Sequence, residues 1–268
     1  MLEKKAVVHI IAATFQKKIA IIKNKRLHDL MARLLISLLK VQVKQMHIEL
    51  TVKRQTVPDE TSYLQTFSYD GDAALTIADW LTEVNRTEAK TNRIAWECGC
   101  LEKKCGACAM RINGIPRLAC SVFLKDVVRH GKILLEPLSK FPLVKDLIVD
   151  RSSMFETLKR MRIWMQEKED SSYAQDCNLQ YQAGQCLQCG CCLEICPNFL
   201  AGGDFAGAAA MIEAYKAVEQ NEADDHRAEM IVAYRKYFFF GCGQSLSCCN
   251  VCPMELPLDE MQVRLNNF

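Results

Sequence analysis

Fifteen cysteines occur in the 268 residues, and eleven of them fall into three spaced groups. The first is Cys100-x4-Cys105-x2-Cys108, with Cys120 following after eleven intervening residues. That is the plant-type spacing for a [2Fe-2S] cluster, in which a short loop curls around two irons and the fourth thiolate returns from elsewhere. Gly106 and Ala107 are small enough to let backbone N–H groups approach the sulfurs. The second group, Cys186-x2-Cys189-x2-Cys192-x3-Cys196-Pro197, is the bacterial ferredoxin run, whose fourth cysteine serves the other cluster of a pair. The third, Cys242-x5-Cys248-x3-Cys252-Pro253, repeats that layout with Ser245 where the second cysteine would stand. Crossing the fourth cysteines assigns Cys186, Cys189, Cys192 and Cys252 to one cage and Cys196, Cys242 and Cys248 to another. Four thiolates suit [4Fe-4S] and three suit [3Fe-4S]. The prolines lack an N–H and fix φ, which interrupts a local helix and sends the chain onward once the ligand has been delivered.

Four cysteines, Cys98, Cys177, Cys191 and Cys249, stand outside these patterns and read as bystander thiols, with Cys249 the best substitute ligand because it adjoins Cys248. Ser245 could offer an oxygen, although hard oxygen matches an iron-sulfur site poorly. The histidines, His9, His28, His47, His130 and His226, are scattered and read as surface or packing residues. Zinc is the competing metal for thiolate sites, but the paired C-x2-C knuckles of zinc ribbons are missing.

The elements that must hold these groups divide the chain. Residues 1–45 carry ten Lys/Arg against two acids, Glu3 and Asp29, whereas the remainder has 24 bases and 30 acids. This extension reads as a basic amphipathic helix on a membrane surface, an organelle presequence, or sequence upstream of a true start at Met46. From Met46, "HIELTVKR" alternates apolar and polar residues as a half-buried strand does, "LQTFSY" predicts a second strand leaving through "DGD", and "TIADWLTEV" places Ile77, Trp80, Leu81 and Val84 on one helical face. "AMRINGIPRLAC" predicts a hairpin about Asn113-Gly114, which would carry Cys120 back beside its loop. Beyond Pro142 strand signals fade. Ser153 and Glu156 read as a capping box before a helix carrying Met154, Leu158, Met161 and Met165, and "GAAAMIEAYKAVEQ" and "DDHRAEMIVAYRKYFFF" predict two more. The expected class is α+β: an α+β module over residues 46–143, then an all-α module over 144–268. Net charge of +2 gives no basic footprint for nucleic acid. Fifteen thiols in a chain without a secretory leader argue for metal chemistry in place of a disulfide framework, and no apolar run is long enough to span a bilayer.

With three cluster motifs in this order, residues 46–268 resemble the iron-sulfur subunit of succinate dehydrogenase and fumarate reductase, the respiratory complex II family. "WECGCLEKKCGACAMRINGIPRLAC" and "CLQCGCCLEICPNF" through "CGQSLSCCNVCP" are similar to its menaquinone-linked branch. Ubiquinone-linked members carry tryptophans shortly after the Cys-Pro and a histidine after the first cysteine of the last run; here those places hold Leu200, Ala201 and Gly243. The usual Arg-x-Gly of the first loop is replaced by Leu101, Glu102 and Lys103. The resemblance implies a β-grasp ferredoxin domain facing an FAD-containing flavoprotein, then an α-helical ferredoxin domain facing a membrane-anchor cytochrome b with haem. It also implies a peripheral place on the cytoplasmic face of the plasma membrane.

The expected function is electron transfer between FAD on one partner and menaquinone at the other, with no catalytic residue on this chain. "FFFGCG" at 238–243 would pack either at the anchor or in the core. One rival, a fumarate reductase using thiols or a soluble donor in place of quinone, would need a further cysteine-rich module. A zinc-stabilised binding module is the second, and about nine irons per chain, from two, four and three, would separate it from the relay.

Overall fold

The computed structural model describes residues 45–164, 176–220 and 225–268. The proposed amphipathic helix or presequence in 1–44, and Met165 of the methionine stripe, lie outside the described residues. From Met46 onward the chain clusters as one unit.

Alternation in "HIELTVKR" folds as predicted into strand β1 (Gln45–Arg54), and Ile48, Leu50 and Val52 are fully buried. Strand β2 (Tyr63–Asp72) pairs beside it, continuing through the Asp70-Gly71-Asp72 segment expected to turn. The turn falls after Asp72, whose carboxylate accepts from Ala74 N. Helix α1 (Ile77–Thr87) opens on a capping box in which Thr76 and Asp79 satisfy each other's backbone N–H groups. A cap of this kind stabilises a helix by about 1 kcal/mol. Its buried face presents Ile77, Trp80 and Leu81 to the sheet, with Phe67 edge-on to Trp80 at 5.7 Å.

Strands β3 (Ala109–Ile112) and β4 (Ile115–Leu118) form the expected hairpin, with Asn113 and Gly114 at φ +51° and +79°. Both central residues in the left-handed region match the twist of the flanking strands. After the single-turn helix α2 (Leu124–Val127), β5 (Lys132–Glu136) runs parallel to β1, pairing Leu50 with Ile133 and Val52 with Leu135. The order β2-β1-β5-β3-β4, with α1 packed against the sheet, is the β-grasp arrangement.

Strand signals do not end at Pro142. Residues Leu143–Lys145 (β6) and Ile148–Val149 (β7) form a small antiparallel hairpin around Asp146, too short for alternation to register in sequence. It hangs from the first half: Asp146, buried, pairs with Arg54 Nε at 3.0 Å and accepts from Gln55 N and Ala95 N. Helix α3 (Ser152–Arg160) follows. The Ser153–Glu156 capping box does not form. The helix starts two residues earlier, with Arg151 as its N-cap; Asp150 accepts from Ser152 N at 2.8 Å, Glu156 pairs instead with Lys159, and Ser153 Oγ is buried without a partner. The helix also stops at Arg160, short of the methionine stripe's predicted extent.

The remaining described elements are helices joined by loops: α4 (Cys177–Gly184), α5 (Cys191–Ile195), α6 (Gly207–Gln220), α7 (Asp225–Tyr237), α8 (Ser247–Val251) and α9 (Leu258–Asn266). Helix α6 is their hub. Its Ala208, Ala209, Ala210, Ala214 and Ala217 are buried, so α4, α5, α7 and α9 can approach its backbone closely, while Met211, Ile212 and Tyr215 fill the space between. Among the described residues no helix is long and apolar enough to cross a membrane.

Candidate iron-sulfur sites

The first loop is shaped by its backbone. Leu101, Lys103 and Gly106 take φ of +56°, +60° and +73°, turning successive N–H groups inward. Glu102 N and Lys104 N donate to Cys100 Sγ at 3.3 and 3.2 Å, Cys100 N donates to Cys105 Sγ at 3.4 Å, and Lys103 N donates to Cys120 Sγ at 3.3 Å. The Glu102 and Lys104 N–H groups bring the Cys100 thiol down to about 7, so it ionises near neutrality. Burial pushes Cys108 up to about 12. A thiol buried in that way becomes a thiolate only with positive charge beside it, which iron would supply. Cys120 follows β4 on a single 3₁₀ turn, Ala119–Ser121, anchored by Ala119 N donating to Cys108 O. Loop and hairpin thus bring Cys100, Cys105, Cys108 and Cys120 together, as their spacing predicts.

The two later runs are structural copies offset by 56 residues. Gln188 and Gln244 share a left-handed φ of +48° and +52°, and Gly190 and Leu246, the N-caps of α5 and α8, share another at +86° and +53°. The same offset carries Cys186, Cys189, Cys192 and Cys196 onto Cys242, Ser245, Cys248 and Cys252. Of the ten non-glycine residues with positive φ among the described residues, five (Leu101, Lys103, Gln188, Gln244, Leu246) lie in the three cysteine loops, so backbone strain is concentrated where sulfurs must be aimed.

Helices α5 and α8 pack together, and two recesses flank them. One, of about 360 Å³ with its open mouth, is lined by Cys186, Cys189, Cys192 and Cys252 together with Ala209 and Ile212 of α6. The other, of about 480 Å³ with its open mouth, is lined by Cys196, Cys242 and Cys248, and also by Cys249, Ser245 and Gln262. Cys196 is therefore turned away from its own run, and Cys252 from its own. Burial raises Cys186 to about 11 and drives Cys192 upward, whereas a hydrogen bond from Cys191 lowers Cys189 to about 7. Amide donors reach in: Gln188 Nε2 donates to Cys186 Sγ at 3.5 Å and Gln262 Nε2 to Cys242 Sγ at 3.7 Å. Among the described residues no three His, Cys, Asp or Glu side chains converge as tightly as a single metal ion requires; the thiols instead line the walls of recesses.

The bystander cysteines divide. Cys98 and Cys177 are exposed and Cys191 is fully buried, but Cys249 is in the third group's wall. His226 is a packing residue, stacked on Trp164, and His47 pairs with Asp70 at the surface. In "FFFGCG", Phe238 is buried and Phe240 is 79% exposed. Sequence reading missed the contacts that join the two halves. Arg151 donates to carbonyls of both the first and second cysteine loops. Glu194, buried on α5, accepts from Ser139 Oγ and Lys140 N. An acid between Cys192 and Cys196 was the one sequence signal available for Glu194; nothing local marked Arg151.

Residues 49–156 match the family described as "2Fe-2S iron-sulfur cluster binding domain". The chain is 31% identical over 238 residues to the succinate dehydrogenase iron-sulfur subunit of Bacillus subtilis, covering 83% of this chain and 92% of that one. It is 33% identical over 171 residues to the fumarate reductase iron-sulfur subunit of Wolinella succinogenes, covering 58% and 68%. In fold it is similar to a chain of the Mycobacterium smegmatis Sdh1 complex in the apo form, with a TM-score of 0.70 at 22% identity over 84% of this chain and 97% of that one. Cysteine geometry and these likenesses agree: the chain belongs to the iron-sulfur subunits of the succinate dehydrogenase and fumarate reductase family.

Proposed function

We propose that this chain carries electrons between FAD on a flavoprotein partner and menaquinone at a membrane-anchor cytochrome b partner, as a peripheral subunit on the cytoplasmic face of the membrane. Cys100, Cys105, Cys108 and Cys120 would hold a [2Fe-2S] cluster, Cys186, Cys189, Cys192 and Cys252 a [4Fe-4S] cluster, and Cys196, Cys242 and Cys248 a [3Fe-4S] cluster. When bound, these groups supply one-electron redox centres in series. The protein's part is to aim thiolates, shield them from water and set the local charge. N–H donors from Glu102 and Lys104 favour the Cys100 thiolate in the first module, 46–143, further backbone N–H groups orient the Cys105 and Cys120 sulfurs, and apolar walls of α6 exclude water in the second, 144–268.

The observation that carries this reading is the sorting of the seven motif thiols of the two later runs, four into one recess and three into its neighbour, where Cys249 lies beside them. Supporting the menaquinone end, Gly243 in the wall of the third site leaves Asn198 where a larger side chain would press on it, its own Cβ position being 3.3 Å from Asn198 Nδ2, and Leu200 is exposed nearby in sequence. The test is analysis of anaerobically purified complex: about nine irons per chain and three distinct magnetic signals are expected, with menaquinone and haem on the partner. Zinc in place of iron, or a single kind of centre, would refute it.

A further inference from the structure

Arg151 is the N-cap of α3, yet its side chain makes no capping bond. It reaches instead between the first two cysteine loops. Nη1 donates to Gly106 O at 3.1 Å and to Cys189 O at 3.2 Å, and Nη2 donates to Ala107 O at 3.3 Å and pairs with Glu97 Oε2 at 2.5 Å. The two loops touch at the same place, since a Cβ added to Gly106 would stand 2.8 Å from Leu187 O and 2.9 Å from Cys189 Cβ. Only a guanidinium offers enough donors, in a planar fork, to hold three carbonyls and a carboxylate at once.

The fork is also a permanent positive charge. Its side chain is 17% exposed, while that of Glu97 is 42% exposed. Water therefore screens the carboxylate more than the guanidinium, and Glu97 offsets only part of the cation's field. A negative charge added beside either loop is favoured by that field.

We propose that Arg151 is a positioning residue shared by the first two iron-sulfur centres, clamping their loops together and favouring the one-electron-reduced form of both. This rests on the cluster assignment above. No bond forms or breaks at Arg151, and it carries neither electron nor proton.

The test is a redox titration of the intact complex followed by paramagnetic resonance, comparing the parent with Arg151→Gln, Arg151→Lys and Glu97→Gln. In Arg151→Gln the reduced-to-oxidised ratio of the first two centres at fixed potential should fall about tenfold, equivalent to about 59 mV for a one-electron couple, with the third centre unmoved. Glu97→Gln should shift the same two centres the opposite way, a sign that general loosening does not produce. Arg151→Lys, which keeps the charge and loses the fork, should recover most of the potential shift while weakening magnetic coupling between the two centres. Unmoved first and second potentials in a fully iron-loaded Arg151→Gln complex would overturn the inference, as would equal shifts at all three centres. If Arg151→Gln loses iron on isolation, Glu97→Gln decides alone, and unchanged or lowered potentials there overturn it. Iron near nine per chain in the parent checks the cluster assignment separately, so a failure at Arg151 is not mistaken for a failure of that assignment.

Discussion

Replacing Gly106 by alanine separates the two costs that this position has been built to avoid. Its φ of +73° lies in the left-handed region, where an L side chain costs about 1–2 kcal/mol. The added methyl would also meet Leu187 O at 2.8 Å, Cys189 Cβ at 2.9 Å and Cys189 Cα at 3.1 Å, inside the 3.4–4 Å of ordinary contact. The first and second loops must then part by about 0.5 Å, an overpacking that typically costs about 1–3 kcal/mol. Gly202→Ala is the control: φ there is +80° and nothing lies within 4 Å, so only the backbone cost applies. A loss of about 3 kcal/mol in Gly106→Ala corresponds to a fall of about 6–12 °C in unfolding midpoint for a unit of this size, against about 2–8 °C for the control's backbone cost of about 1–2 kcal/mol. Anaerobic thermal scans at one fixed rate, followed by cluster absorbance and far-UV dichroism, would measure both. A Gly106→Ala midpoint no lower than that of Gly202→Ala would refute the claim that these loops are in contact.

Asp146→Ala should cost about 3–5 kcal/mol, because it strands Arg54, itself 4% exposed, and leaves the Gln55 and Ala95 N–H groups unpaired; urea unfolding would show it as a lowered midpoint. Asn113→Ala removes the acceptor for Leu134 N and the donor to Val127 O from a left-handed residue, and should cost about 2 kcal/mol in the same assay, with Asn113→Gly costing less. Ser245→Cys restores the missing second cysteine of the last run in the recess of Cys196, Cys242 and Cys248, and should raise iron towards ten per chain, abolish the oxidised three-iron signal and slow quinone reduction; a persistent three-iron signal would count against the ligand assignment.

What could be read from the sequence was what its chemistry makes local. Spacing within each cysteine run is dictated by the cluster it would hold, so Cys100, Cys105 and Cys108 declared themselves, as did Cys186, Cys189 and Cys192. The β3–β4 hairpin was equally legible, because Asn113-Gly114 fits a turn with two positive φ values. Contacts between residues far apart in sequence were not. Arg151 meets Gly106 and Cys189 across 45 and 38 residues, and that tertiary demand explains why α3 begins without the capping box its sequence offers. The β6–β7 hairpin hid for a related reason, since its strands are three and two residues long and it is held by the remote Arg54. Cysteine spacing showed that the two later runs share a layout, but not that their backbones match at the helix N-cap: Gly190 advertises a left-handed residue, whereas its counterpart Leu246 does not.

The prolines that close those runs act one residue earlier than their own ring suggests. Proline's Cδ disfavours helical backbone in the preceding residue, and the preceding residue in each run is a cysteine. Cys196 has φ −68° and ψ 123°, and Cys252 has φ −60° and ψ 116°, both outside the helix that α5 and α8 have just completed. Had either helix continued, its last cysteine would have stayed on the spiral of its own run. Forced into extended backbone, each side chain enters the opposite recess, Cys196 with Cys242 and Cys248, Cys252 with Cys186, Cys189 and Cys192. The interlocking of the two sites thus follows from a steric rule acting on a dipeptide. It also ties α5 to α8 through whatever the recesses hold, so that filling either recess stabilises both helices.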